Sequence, residues 1–144
     1  MQYPNVHMLM RCVCFRRYQL FTQIVTQPDA SQLCSSRGGR LAEVHNQQQF
    51  EAVQTFSSQS GRFWLGGTVP LQDGVFIWPS DGSLISYNVF WAPSEPNNAA
   101  TFEFCMIFSN LGTTDGFNDV SCSRLFPTLC EFEGSGDTPV CPSV

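Results

Sequence analysis

The sequence predicts an α+β domain, with two helical patterns early in the chain and a run of short strands after them. Three observations carry that expectation. Apolar residues recur at helical spacing twice before residue 61, and from Phe63 onward they recur in short runs separated by turn formers. The chain is 144 residues long, 42% hydrophobic and 13% charged, with thirteen phenylalanines. That composition suits one packed core, not a disordered or coiled-coil chain.

Taken in order, residues 18–26, "YQLFTQIVT", alternate β-branched and aromatic side chains and are expected as a strand. Pro28 and Asp29 then open a short helix in which Ala30, Leu33 and Cys34 share a face, and Gly38-Gly39 ends it. Residues 40–44, "RLAEV", are expected as a second strand. Asn46 followed by Gln49 has capping-box form, Phe50, Val53 and Phe56 supply the apolar stripe, and Gly61 stops the helix. His45 is expected as a solvated residue of the loop or helix start. Strands "FWLGG" and "VFIW" follow, then an irregular polar stretch over residues 78–102. A loop of that length is functional or disordered, and its aromatic residues favour an ordered one. "FCMIFS", "GFNDVSC" and "TLCEFE" complete the domain. Phe102, Phe104 and Phe108 alternate by two and are expected on a buried strand face.

The chain divides into an irregular N-terminal segment (1–17), a globular domain (18–133) and a flexible C-terminal tail (134–144). A net charge of −5, with no basic cluster larger than Arg16-Arg17, argues against nucleic acid and against an anionic membrane surface. No run of about 20 apolar residues offers a membrane span, so no membrane insertion is expected. Seven cysteines point to disulfides made in an oxidising, extracellular compartment. Zinc is disfavoured, because only His7 and His45 are present and no pair of C-x-x-C motifs occurs.

One constellation carries chemistry. Calcium takes six to eight oxygens from carboxylates, amide carbonyls and water. Glu95, Asn97, Glu103, Asn118 and Asp119 supply such oxygens from two neighbouring segments. Three carboxylates against Ca²⁺ leave a net charge of about −1, which favours binding. The same acids do not suggest a glycosidase, since carboxylates committed to calcium are poor general acids. No Ser-His-Asp or Cys-His pattern is present, so the chain is not expected to be an enzyme.

From Tyr18 to Phe132 the chain resembles a C-type lectin-like domain. "WLGG" at residues 64–67 resembles that family's W-I-G-L segment, and Trp78, Gly82, Tyr87 and Trp91 fall where its loop aromatics and glycine do. Glu95-Pro96-Asn97 matches the E-P-N tripeptide. Phe117-Asn118-Asp119 matches W-N-D with Phe in place of Trp, and Phe117 is expected in the core as that Trp would be. Cys34, Cys105, Cys122 and Cys130 match the four framework cysteines. The resemblance implies two helices packed on two small antiparallel sheets with a long irregular calcium-binding loop, together with Cys34–Cys130 and Cys105–Cys122 bridges. It also implies a cis Glu95–Pro96 bond and direct coordination of a sugar's vicinal diol by Ca²⁺. Glu95 and Glu103 would accept hydrogen bonds from the sugar hydroxyls, and Asn97 and Asn118 would donate them. The Glu-Pro-Asn order is the mannose type, which takes equatorial vicinal hydroxyls as in mannose, N-acetylglucosamine and glucose, or the equivalent diol of fucose. A secreted glycan-recognition role in innate defence or cell recognition follows from the resemblance alone.

The chain also departs from the family. Where a second calcium would have acidic ligands, this sequence has Phe104 and Val69, with Asp73 alone remaining, so one Ca²⁺ is expected. Arg17 stands where long-form members carry an extra cysteine, so the chain resembles the short form. Cys12, Cys14 and Cys141 are left over; one N-to-C-terminal bridge to Cys141 and one interchain bridge, giving a disulfide-linked homodimer, are expected. The alternative function is a structural or protein-binding module, of biomineral-matrix or ice-binding type, in which calcium only orders the loop.

Overall fold

A computed structural model describes residues 14–71, 73–85, 90–97, 102–111, 115–133 and 138–140. Strand β1 (Cys14–Val25) pairs antiparallel with β8 (Phe126–Glu133), with Tyr18 opposite Glu131 and a register shift between Phe21 and Val25. On its other side, β1 pairs with β9 (Thr138–Val140), Cys14 facing Val140 along the backbone. The sheet therefore extends past both expected boundaries. β1 begins four residues before Tyr18, and β9 lies within the stretch expected as tail.

Helix α1 (Gln27–Ser36) begins at Thr26, with Pro28 and Asp29 in its first turn, where a missing N–H and a negative charge are both tolerated. It ends where Gly38, at φ +83°, and Gly39 return their N–H groups to the Ser35 and Cys34 carbonyls. Ala30 and Cys34 face inward. The Cys34–Cys130 disulfide pins the helix to β8 across 96 residues of chain, a constraint on the unfolded state of about 4–5 kcal/mol in the chain-entropy account. β2 is only Arg40–Leu41, shorter than expected, because the chain then turns to place Glu43 inside.

Helix α2 (Gln47–Gln54) carries half of the expected capping box. The Asn46 Oδ1 accepts from the Gln49 N–H at 2.8 Å, but Gln49 Oε1 takes the N–H of His45, one residue before the cap, at 2.6 Å. A 3-10 turn (Thr55–Ser58) continues the helix and ends it before Gly61.

The remaining strands are β3 (Arg62–Thr68), β4 (Ile77–Trp78), β5 (Ser83–Leu84), β6 (Cys105–Ser109) and β7 (Gly116–Val120). β6 lies between β3 and β7 and is buried along its whole length. The fold is α+β, with two antiparallel groups of strands: β1, β2, β8 and β9 form one, and β3 to β7 the other. A single parallel residue pair, Trp64 opposite Thr128, joins them into one mixed sheet. Trp64 is fully buried at that seam, its Nε1–H donating to the Val25 carbonyl at 2.7 Å.

Most of the expected core is observed. Phe50, Val53, Trp78, Trp91 and Phe117 pack together, and Phe117 stands edge-on to both tryptophans. Phe108 is buried and Phe104 partly so, but Phe102 is 68% exposed, because it precedes β6 and no sheet covers it. Gly116, at φ +141°, passes so close to the Phe90–Trp91 backbone that a Cβ would lie 2.3 Å from the Phe90 carbonyl oxygen. That approach presses the long loop against β7. The second disulfide, Cys105–Cys122, holds β6 to the residues just after β7. Among the described residues, no helix is long and apolar enough to cross a membrane.

Candidate metal and ligand site

The β6–β7 hairpin and the long loop meet at one end of the second strand group. On β7, Asn118 is opposite Ile107 and Asp119 opposite Met106. Asp119 is buried, and its Oδ1 accepts the backbone N–H of Asn97 at 2.9 Å, tying the loop to the strand. The Glu95–Pro96 bond is cis. Asn97 Nδ2 donates to Glu95 Oε2 at 3.2 Å, while Glu95 Oε1 is buried without a hydrogen-bond partner.

The Glu95 carboxyl is pushed up to about 7, first by burial and then by the adjoining Asp119 and Glu103 carboxylates, with Asn97 acting in the opposite sense. Of the five expected donors, Glu95, Asn97 and Asp119 are in hydrogen-bond contact, and Glu103 is within electrostatic reach. Asn118 is placed by its strand position beside Asp119. Among the described residues, no three His, Cys, Asp or Glu side chains converge into a ready-made metal cage. Glu95 and Asn97 instead bond to each other. A hard cation suits this donor set. It would engage the unpartnered Glu95 oxygen and offset the mutual repulsion of the clustered acids.

The positions where acids for a second ion are missing are occupied by packing. Val69 is buried, with its N–H on the Phe104 carbonyl at 3.0 Å, and Phe104 packs on the same core edge-on to Phe102. The Asp73 carboxylate accepts the Val75 N–H in its own turn. Of the loop aromatics, Trp78 and Trp91 are buried, whereas Tyr87 lies outside the described residues. Cys12 and Cys141 also lie outside them, and Cys14 is described only as the first residue of β1.

Sequence reasoning missed two buried carboxylates. Glu43 accepts from His45 Nε2 at 2.7 Å, Ser80 Oγ at 2.6 Å and the Ser80 N–H at 3.0 Å. Burial alone would raise its pKa, but the hydrogen bonds from His45 and Ser80 outweigh it and hold the carboxyl below its usual range. His45 thus lies just before the helix, as expected, but its ring is largely withdrawn from solvent, packed against Trp78 and bonded to Glu43. Serine and histidine meet on the acid, not on each other, so this is a structural brace and not a nucleophile with its base. Glu131, also buried, accepts from Arg16, from Arg40 Nε at 2.9 Å and from the Glu43 N–H at 2.7 Å. Burial raises its pKa against the pull of both guanidiniums. No local sequence signal marks either acid, because apart from His45 beside Glu43 their partners lie far along the chain.

Residues 23–132 match the family model described as "Lectin C-type domain". C-type lectin 1 of Hydrophis hardwickii is 32% identical over 121 residues, covering 81% of this chain and 73% of that protein. Ladderlectin of Oncorhynchus mykiss is 35% identical over 105 residues, which is 70% of this chain and 54% of the relative. Among solved structures, TC14, a C-type lectin from the tunicate Polyandrocarpa misakiensis, superposes with a TM-score of 0.71 at 25% identity, covering 83% of this chain and 99% of that one.

Proposed function

Because this chain belongs to the C-type lectin domain family, whose domains bind and do not catalyse, we propose that it is a calcium-dependent, mannose-type carbohydrate-binding protein with one calcium site. The supporting observation is the Glu95 carboxylate. One of its oxygens is buried without a partner, and its neighbours Asp119 and Glu103 oppose its ionisation. Glu95, Asn97, Glu103, Asn118 and Asp119 would hold the ion. When bound, calcium supplies a Lewis-acidic centre at which two vicinal hydroxyls of a sugar replace water.

The chain's own residues set the selectivity. Glu95 and Glu103 each keep an oxygen to accept a hydroxyl proton, and Asn97 and Asn118 each keep an NH₂ to donate. An equatorial diol uses all four hydrogen bonds. A single sugar touches few atoms in so shallow a site, so affinity is on the order of millimolar, about −4 kcal/mol. Clustering raises it, and Cys12, Cys14 and Cys141 are the thiols from which a disulfide-linked homodimer would be built. In this reading the protein is secreted and recognises glycans in defence or cell recognition.

The test is calorimetric titration with methyl-mannoside in calcium and then in excess EDTA, with methyl-galactoside as control. Heat from mannoside that needs calcium, with none from galactoside, is the expected result. Silence toward both sugars, with calcium still raising the melting temperature, would reject the lectin reading in favour of a module whose loop calcium merely orders.

A further inference from the structure

An apolar groove opens between the turn before β4, the end of β5 and the long loop. Its volume is about 260 Å³. Phe76 and Trp91, both buried and edge-on to each other at 5.3 Å, form its floor. Val75, Leu84 and Ile85 form walls, and the Ile85 N–H, bonded to the Phe76 carbonyl at 2.9 Å, fixes one wall to the floor. Val75 is 42% exposed and Leu84 68%, so a ligand can reach the surface they offer. Among the described residues, no charged side chain lines the groove. The last wall is Pro96.

Size and position together say what the groove takes. It is smaller than the roughly 300–1,000 Å³ of most small-ligand sites, so it suits one part of a ligand and not the whole. The other part has to be held next door. Pro96 is the middle residue of the cis Glu95–Pro96–Asn97 turn, so one ring is both a wall of the groove and the joint between two of the proposed calcium donors. A sugar held at that ion by its 3,4-diol has the C5–C6 arm directly beside the diol. The primary O-6 is common to mannose, N-acetylglucosamine and glucose, and its arm turns freely. The walls are aliphatic and uncharged, so a hydrocarbon chain gains by entering, whereas a hydroxyl or a charge would lose water and find no partner.

We propose that the groove is a subsite for a short acyl chain carried on O-6 of the calcium-bound sugar, which makes acylated sugars the preferred ligands. This rests on the calcium-dependent sugar reading. The experiment is calorimetric titration of the whole chain, in calcium, with methyl-mannoside and its 6-O-acetyl, butanoyl and hexanoyl esters. Methyl-mannoside reports on the calcium site alone, and the change along the series reports on the groove. Affinity should rise with chain length to about tenfold at hexanoyl, since each fully buried methylene is worth up to about fourfold. Leu84→Ser trims an exposed rim; it should remove most of that gain and leave methyl-mannoside binding unchanged. Excess EDTA should abolish binding of every ester. Equal affinity along the series, with methyl-mannoside binding, would overturn the subsite and leave the lectin reading standing. A gain that survives Leu84→Ser, or ester binding that persists in EDTA, would also overturn it, because the chain would then be held elsewhere or alone. No heat from any of the four sugars would overturn both readings.

Discussion

At the residue scale, the informative side chain is Asn97. Its backbone N–H is on Asp119 and its amide on Glu95, so one residue links the loop to β7 and to the acid beside it. In the proposed site, the amide oxygen faces the ion and the NH₂ faces a sugar hydroxyl. Asn97→Asp keeps an oxygen for the metal and removes the donor. It should therefore abolish methyl-mannoside binding while weakening calcium far less, as read by calorimetry and by calcium-dependent melting. Equal loss of both would count against the donor role. The proposed donor set was read from the sequence because oxygen-bearing types come in close pairs, Glu95 with Asn97 and Asn118 with Asp119, and Glu95, Asn97 and Asp119 do come together in the structure. Glu43 and Glu131 were not legible. Each is an isolated acid among apolar neighbours, and their burial is made affordable by Ser80, 37 residues away, and Arg16, 115 residues away.

At the scale of elements, the same long-range partners decide how the loops dock. Ser80, just past β4, reaches Glu43, just past β2, through both its N–H and its hydroxyl. The Glu43 carboxyl is held below its usual range, so its contribution to stability is complete above the ordinary carboxylate pKa and is lost as pH falls through the lowered value. Ser80→Ala removes one of those bonds from a buried charge. It should cost about 2 kcal/mol near neutral pH, with the difference from the parent shrinking toward zero in acid. Urea unfolding across that pH range measures it, and a pH-independent cost would mean that Ser80 acts by packing and not through Glu43. The helices were readable because their caps and apolar stripes are local. β9 was not, since "TPV" has no strand pattern of its own and forms where β1 offers an open edge. Phe102 misled for the opposite reason, since its alternation with Phe104 is local but the strand that would bury it starts only at Cys105.

For the whole molecule, the α+β class was legible, but the joining of two strand groups through Trp64 and Thr128 was not. Nothing in a period-two pattern says which distant strand will lie alongside. That seam and the two disulfides tie the body together without any ion, while the loop end carries Glu95, Asp119 and Glu103. In the proposed site, metal binding and stability would therefore be coupled through one end of the fold. A ligand at a hundred times its dissociation constant adds about 2.7 kcal/mol to a folded protein. For a chain of this size that is on the order of 5–10 °C in melting temperature. Calcium should produce such a rise in the parent, and magnesium much less, because it demands a tighter octahedral shell. Glu95→Gln separates the ion from the scaffold. It removes a charge that its neighbours oppose, so without calcium the variant should melt at or above the parent, yet show almost no rise when calcium is added. A variant that melts well below the parent in EDTA would show that the Glu95 carboxylate supports the fold itself, and the case for its serving the ion would fail.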